Sequence, residues 1–160
     1  MKIPDLQGIK LLLLDCDGVL TDGRLYFSAN GEELKVFDVQ DGQGIVSWIR
    51  SGRHVGIISG RSSSIVSRRA DELGIRFVRQ GVQNKLEAAR EIWAESGIDP
   101  DETAFVGDDI PDIELINECG FGVAVANAAH EVKEAADHLT SRTGGRAAVR
   151  EGIDLLLLSK

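Results

Sequence analysis

Leu11-Leu12-Leu13-Leu14-Asp15-Cys16-Asp17-Gly18-Val19-Leu20-Thr21-Asp22-Gly23 decides how this chain is read. An unbroken apolar run predicts a strand covered on both faces, here residues 9–14. The run stops abruptly at two carboxylates and a glycine. In open parallel sheets, ligands bind in the crevice beyond the carboxyl ends of the strands. Asp15 and Asp17 stand at i and i+2, so they share a face wherever the strand geometry persists. Converging carboxylates favour a hard cation such as Mg²⁺. Taken alone, Asp-Cys-Asp-Gly is also readable as a polar turn, and the rest of the chain decides between the two.

Working outward, strands and helices alternate. Residues 24–28 and 33–38 read as the strands of a hairpin around Ala29-Asn30-Gly31-Glu32, since Asn-Gly is a strong hairpin signal. Helices are expected over residues 42–51, 62–73, 84–96, 110–118, 129–136 and 147–158. Gly52, Gly74 and Gly97 act as stops, and Ser62 or Ser63 as a cap. Pro111 suits a first helical turn, where its missing N–H costs nothing. Short strands are expected at 54–58, 75–78, 103–106, 122–125 and 138–140. This order predicts an α/β fold: a doubly wound, Rossmann-like parallel sheet with helices on both faces. The hairpin, about residues 24–38, is the one sizeable insertion, and no segment is long enough for a cap domain.

The chain has 160 residues, 42% apolar and 28% charged, which suits one soluble globular domain spanning residues 1–160. A net charge of −8 and 5% aromatic content argue against nucleic acid as partner, because duplex binding needs excess Lys and Arg and single strands need stacking platforms. Cys16 and Cys119 form no metal-ligand or disulfide pattern, and Cys16 is expected to point into the core. No membrane span and no leader pattern are read, so a cytoplasmic location is the default expectation. His54, His130 and His138 lack metal-ligand spacing, and Trp48 and Trp93 sit at apolar helical positions.

Four strand ends carry polar residues: Asp15 and Asp17; Ser59-Gly60-Arg61; Lys85; and Gly107-Asp108-Asp109 with Asp112 a turn further on. A doubly wound sheet brings such ends to one edge. Together they offer carboxylates for a cation, a hydroxyl, an ammonium and helix N-termini that favour phosphate. That set suits phosphoryl transfer, where positioning and charge stabilisation carry most of the catalysis. One aspartate can act as nucleophile and another as acid and base.

These motifs resemble those of the haloacid dehalogenase superfamily of phosphatases over nearly the whole chain. The D-x-D-G-V-L-T-D-G pattern is met at residues 15–23, the motif-two hydroxyl at Ser59, the lysine at Lys85, and G-D-D-x-x-D at residues 107–112. The resemblance implies Asp15 as nucleophile and Mg²⁺ ligand, and Asp17 as general acid/base that also lends its backbone carbonyl to the metal. It implies Ser59 on the phosphoryl group, Lys85 neutralising Asp15 and phosphate, and Asp108 completing the metal site, with Asp109 and Asp112 in support.

A closer resemblance is to the capless subgroup typified by 3-deoxy-D-manno-octulosonate 8-phosphate phosphatases. It rests on Gly31-Glu32-Glu33-Leu34-Lys35, Gly60-Arg61-Ser62-Ser63, Gln80-Gly81, Val125-Ala126-Asn127-Ala128 and the run from Gly144 to Glu151. It implies a small phosphorylated sugar acid as substrate and a homotetramer assembled through the hairpins. Asp41, Gly42, Gly60, Arg61 and Arg69 are expected around that substrate, and the Gly144-Gly145-Arg146 stretch is expected to reach an active site. The chain departs from the subgroup's N-V-R-D-G at Asp38-Val39-Gln40-Asp41-Gly42, and a further family arginine is Val46. A sialic-acid-type 9-phosphate is the alternative substrate.

Singly, several of these residues have plainer readings. Asp22 and Asp112 fit turn or surface groups, Asp108-Asp109 and Ser59 fit helix caps, and Lys85, Arg68 and Arg69 fit solvated helix faces. Leu25, Phe27, Leu34, Val36 and Phe37 put too much apolar surface on an isolated hairpin, which predicts association through it. A phospho-accepting receiver domain is a rival from another class, but its acceptor aspartate sits on a later strand. A non-catalytic assembly module is a third reading, opposed by the intact carboxylate set.

Overall fold

A computed structural model describes residues 5–31 and 33–159. At its centre lies β1, Leu11–Leu14, with every side chain buried. It pairs in parallel with β4, His54–Ile58, on one side and with β6, Thr103–Gly107, on the other. A strand hydrogen-bonded on both edges and packed on both faces leaves no position for a polar side chain, so its four leucines form an unbroken run.

With β5 (Phe77–Arg79), β7 (Phe121–Ala124) and β8 (His138–Leu139), the sheet has six strands in the order β5-β4-β1-β6-β7-β8. All neighbours are parallel. After β5 the chain returns across the sheet to the far side of β1. That reversal makes the end of β1 the topological switch point, where a ligand crevice opens.

Helices cover both faces, as the alternation predicts. α1 (Val39–Arg50) packs against α6 (Ala148–Leu158) and α2 (Ser64–Leu73). α3 (Lys85–Ser96) packs against α4 (Ile113–Glu118), and α4 against α5 (His130–Ala135). Trp48 is fully buried and Trp93 nearly so, and Cys16 and Cys119 are free, buried thiols. Among the described residues no helix is long and apolar enough to cross a membrane.

Several boundaries differ from the sequence-based expectation, each for a local reason. α1 begins at Val39, not at residue 42, because the Asp38 carboxylate caps it by accepting the Gln40 N–H at 2.6 Å. Gly42 and Gly44 lie inside this helix because neighbours press on it: a Cβ at Gly42 would meet Arg69 Nη2 at 2.5 Å, and one at Gly44 would meet Arg150 Cδ at 2.9 Å. β5 starts at Phe77 because the Ile75 N–H closes the end of α2, on the Ala70 carbonyl. Ser63, rather than Ser62, caps α2. The stretch after Asp109 opens as a 3₁₀ turn, Ile110–Asp112, before α4.

The hairpin is present but its paired part is short. β2 (Tyr26–Phe27) and β3 (Glu33–Leu34) form a separate antiparallel pair. Residues 24–25 are drawn away by Asp22, whose carboxylate accepts the Arg24 N–H at 2.9 Å and the Tyr26 hydroxyl at 2.8 Å. Gly31 takes a positive φ of 76° and donates to the Ser28 carbonyl. Glu32 of the expected turn lies outside the described residues.

Candidate active site

The parallel registers set the site. Leu14 is level with Ile57 of β4 and Val106 of β6. Asp15, Ser59 and Asp108 therefore emerge one or two residues later from three adjacent strands, at one edge. With Asp17, Gly60, Arg61, Lys85, Asp109 and Asp112 they line a cavity of about 400 Å³.

Its floor is a buried ionic cluster. Lys85 Nζ lies 3.0 Å from Asp15 Oδ1 and 2.6 Å from Asp112 Oδ1. Asn84 caps α3 by accepting the Glu87 N–H, which places Lys85 at the first helical position, facing inward. Burial by itself lowers the Lys85 ammonium, but Asp15 and Asp112 outweigh it and hold the lysine above its ordinary value. Burial, then the Asp112 charge, raise Asp15 despite Lys85. Asp108 is pushed up to about 9 by burial and by Asp15 and Asp112 nearby. Three carboxylates facing one lysine leave an excess of negative charge at this spot.

Asp112 is therefore not the surface group that a plain reading allows. It is completely buried. Oδ1 accepts from Lys85, and Oδ2 accepts the N–H groups of Asp108 at 2.9 Å and Asp109 at 3.2 Å. Asp109 is exposed and caps the following turn through the Ile110 N–H.

Oxygens of Asp15, Asp108 and Asp112 come within 4.8 Å of one another. Both Asp112 oxygens already have partners, whereas Oδ1 of Asp108 is buried without one. An all-oxygen donor set, excess negative charge and an orphaned carboxylate oxygen together fit a hard divalent cation held by Asp15 and Asp108.

The loop after Asp15 is wound tightly. The Cys16 carbonyl accepts from Val19, Leu20 and Thr21, and Thr21 Oγ1 accepts the N–H groups of Gly18 and Gly23 at 3.2 Å each. This loop rests on the C-terminal Gly-Gly pair of the same chain. The Gly145 N–H donates to the Val19 carbonyl at 3.1 Å. Asn127 bridges the two segments, accepting the Gly144 N–H at 2.7 Å and donating to the Gly18 carbonyl at 3.2 Å. A Cβ at Gly144 would lie 1.8 Å from the Gly18 oxygen.

Of the residues expected around a substrate, Gly60 and Arg61 line the cavity. Asp41, Gly42 and Arg69 do not. Asp41 is buried between α1 and α6, where Oδ1 accepts the Arg150 N–H at 2.9 Å. Gly42 is buried on α1 against Arg69. Arg69 lies over the Phe37 ring, 5.6 Å from its centroid, and borders a smaller cavity with Lys35, Phe37 and Arg68. Gln40, the departure from the subgroup pattern, accepts from Arg142 Nη1 at 3.2 Å.

One site residue was missed from the sequence. Lys35 Nζ reaches Asp17 Oδ1 at 2.7 Å from the hairpin. The available signal was an inverted alternation in Leu34-Lys35-Val36, a lysine between apolar residues on a segment that had to turn one face inward.

Comparisons with known proteins agree with this geometry. Residues 74–151 match the haloacid dehalogenase-like hydrolases. The chain is 46% identical over 154 residues to the 3-deoxy-D-manno-octulosonate 8-phosphate phosphatase of Escherichia coli strain K12, covering 96% of this chain and 82% of that protein. The phosphatase of that name from Moraxella catarrhalis, solved with magnesium, phosphate and 3-deoxy-D-manno-octulosonate, superposes with a TM-score of 0.93 at 42% identity over 95% of this chain and 87% of its own. The cobalt-bound enzyme from Haemophilus influenzae gives a TM-score of 0.92 at 41% identity over 95% and 89% of the two chains. The chain belongs to the haloacid dehalogenase-like hydrolases and is a phosphatase of that family.

Proposed function

We propose that this chain is a Mg²⁺-dependent phosphatase that hydrolyses 3-deoxy-D-manno-octulosonate 8-phosphate through an aspartyl-phosphate on Asp15. The observation that carries this reading is the buried Asp15–Lys85–Asp112 cluster beside the orphaned Asp108 oxygen, at the switch point of the sheet. Relatives with more than 40% identity that bear this substrate's name support its choice.

In this reading Asp15 attacks phosphorus, and Asp17, two residues along the same loop, protonates the departing sugar oxygen. Asp17 then takes a proton from the water that attacks the phosphoaspartate, releasing phosphate and restoring Asp15. Lys85, fixed by Asp112, balances the charge that Asp15 and the phosphate bring together. Ser59, buried at the end of β4, supplies a hydroxyl to a phosphoryl oxygen. A cation on Asp15, Asp108 and the Asp17 carbonyl supplies positive charge against the phosphoryl oxygens. Asp109 supports the loop that carries Asp108.

The hairpin is the assembly surface in this reading. Phe27, Leu34 and Val36 are 62%, 61% and 55% exposed, and Val39 beside them 82%. Apolar exposure on that scale fits burial in a homotetramer. Neighbouring subunits would then bring Arg69 toward a substrate that one subunit alone leaves open. A cytoplasmic location is part of the proposal and fits the two free thiols.

The experiment is phosphate release from a panel of sugar-acid phosphates, with Mg²⁺ and with chelator, by the wild type and by Asp15→Asn. The reading expects Mg²⁺-dependent turnover, the octulosonate 8-phosphate preferred over a nine-carbon sialic-acid-type 9-phosphate, and no turnover by the variant. Activity that persists in chelator or in Asp15→Asn would contradict it.

A further inference from the structure

The hairpin does more than present an apolar face. In a surface hairpin, apolar side chains ordinarily turn inward and charged ones outward. Here the order is reversed: Leu34 and Val36 are exposed, while the Lys35 side chain between them is only 4% exposed. A buried ammonium is costly unless a partner repays its lost hydration. Asp17 is that partner, with Oδ1 2.7 Å from Nζ.

The opposite oxygen of Asp17 faces a second cation tied to the same hairpin. Arg61 Nε lies 4.0 Å from Asp17 Oδ2, and its guanidinium stands 5.9 Å from the centroid of Phe27 on the other hairpin strand. Both arms of the hairpin thus bear on Asp17, Lys35 just past β3 directly and Phe27 of β2 through Arg61, while Asp17 itself sits in a loop outside any strand.

We propose that Lys35 is a positioning residue for the phosphoryl-transfer step: its ammonium fixes the Asp17 carboxyl in the orientation from which it meets the leaving oxygen. The proposal rests on the reading of Asp17 as the acid/base. An aspartate in a loop has several staggered χ1 wells open to it, and general acid catalysis needs the carboxyl within about 2.6–3.2 Å of the oxygen it protonates. Lys35 selects one well from outside the loop. The proton passes from the Asp17 carboxyl to the alkoxide of the departing sugar as its bond to phosphorus breaks. Lys35 neither gains nor loses one.

This role predicts a dependence on leaving group that simple charge attraction does not. Departure of a sugar alkoxide requires protonation, whereas 4-nitrophenolate leaves without it. The quantity to compare is kcat/KM, which reports events through the first irreversible step, transfer to Asp15. Lys35→Met should lower kcat/KM for the sugar phosphate about 10- to 100-fold, a part of the usual contribution of a general acid. It should lower that for 4-nitrophenyl phosphate less than about threefold. Its oligomeric state should match the wild type, since Lys35 faces inward.

Lys35→Gln keeps a donor and serves if the methionine variant does not fold; it should give the same ordering with a smaller loss. In an Asp17→Asn background, Lys35→Met should add little, because the two act as a unit. Equal losses for both phosphate esters, or additive losses with Asp17→Asn, would overturn the positioning role. Absence of Mg²⁺-dependent turnover by the wild type on either ester would instead overturn the underlying phosphatase reading.

Discussion

Asp108 occupies the space that a side chain at Gly18 would need. A Cβ built on Gly18 would stand 1.9 Å from Asp108 Oδ2, and Gly18 also holds a positive φ of 88°. The glycine after the second aspartate is therefore what lets the end of β6 close over the loop from β1. Gly18→Ala should displace Asp108 from Asp15, and kcat should fall by about 100-fold or more, the scale of an ångström-sized misplacement in an active site. Steady-state kinetics with circular dichroism checks this; a folded variant with wild-type kcat would refute it.

Among the described residues, Lys85 is the cation held against both Asp15 and Asp112 in the cavity floor. Lys85→Met leaves buried carboxylates without their counter-charge. Breaking a buried ion pair from one side costs about 3–5 kcal/mol, so chemical denaturation of the metal-free variant should show a loss of that size. Added Mg²⁺ should recover part of it, because a ligand that binds only the folded state stabilises that state. Unfolding curves with and without Mg²⁺ make the comparison.

Asp41 sets a pH dependence on stability. Burial raises its carboxyl from 3.8 to about 6, against the Arg150 N–H that lowers it; Asp38 raises it further, and the Ala147 N–H and Arg69 lower it. The folded state thus binds a proton that the unfolded state has already lost. The contribution is fully present below pH 3.8, declines as pH rises, and is gone above about 6. The integrated effect is up to about 3 kcal/mol. Asp41→Asn should flatten the stability profile across that window, as read by denaturant titration at a series of pH values. An unchanged slope would exclude Asp41 as its source.

The exposed hairpin side chains predict the assembly state. Phe27→Glu combined with Leu34→Glu should yield a smaller species by light scattering at micromolar concentration, against a tetrameric wild type. A monomeric wild type would remove the argument for the hairpin as an interface.

The framework of the fold was legible in sequence because each element carries its own local signal. Leu11 to Leu14 announce a strand buried on both faces, the aspartates mark its end, and Gly74 and Gly97 close helices with φ values of 74° and 69°. What was not legible depends on approach between distant segments. Asp112 is legible as part of the strand-end set, but not its complete burial or its pairing with Lys85. Gly42 reads as a helix start until Arg69 is seen pressing on α1. Lys35 reads as a strand lysine until the hairpin is folded onto Asp17, because nothing local fixes which face of so short a hairpin turns inward. Gly144 and Gly145 show nothing in sequence of the tight packing they make under the Gly18 loop.

The central claim is that phosphate leaves through a covalent intermediate on Asp15. The stereochemical course at phosphorus tests it most directly, using a thiophosphate monoester made chiral at phosphorus with oxygen isotopes and hydrolysed in water of a third isotope. Transfer to Asp15 and then to water is two in-line displacements, so the configuration of the released thiophosphate should be retained. Net inversion would mean that water attacks the substrate directly, and would contradict the role of Asp15 as nucleophile.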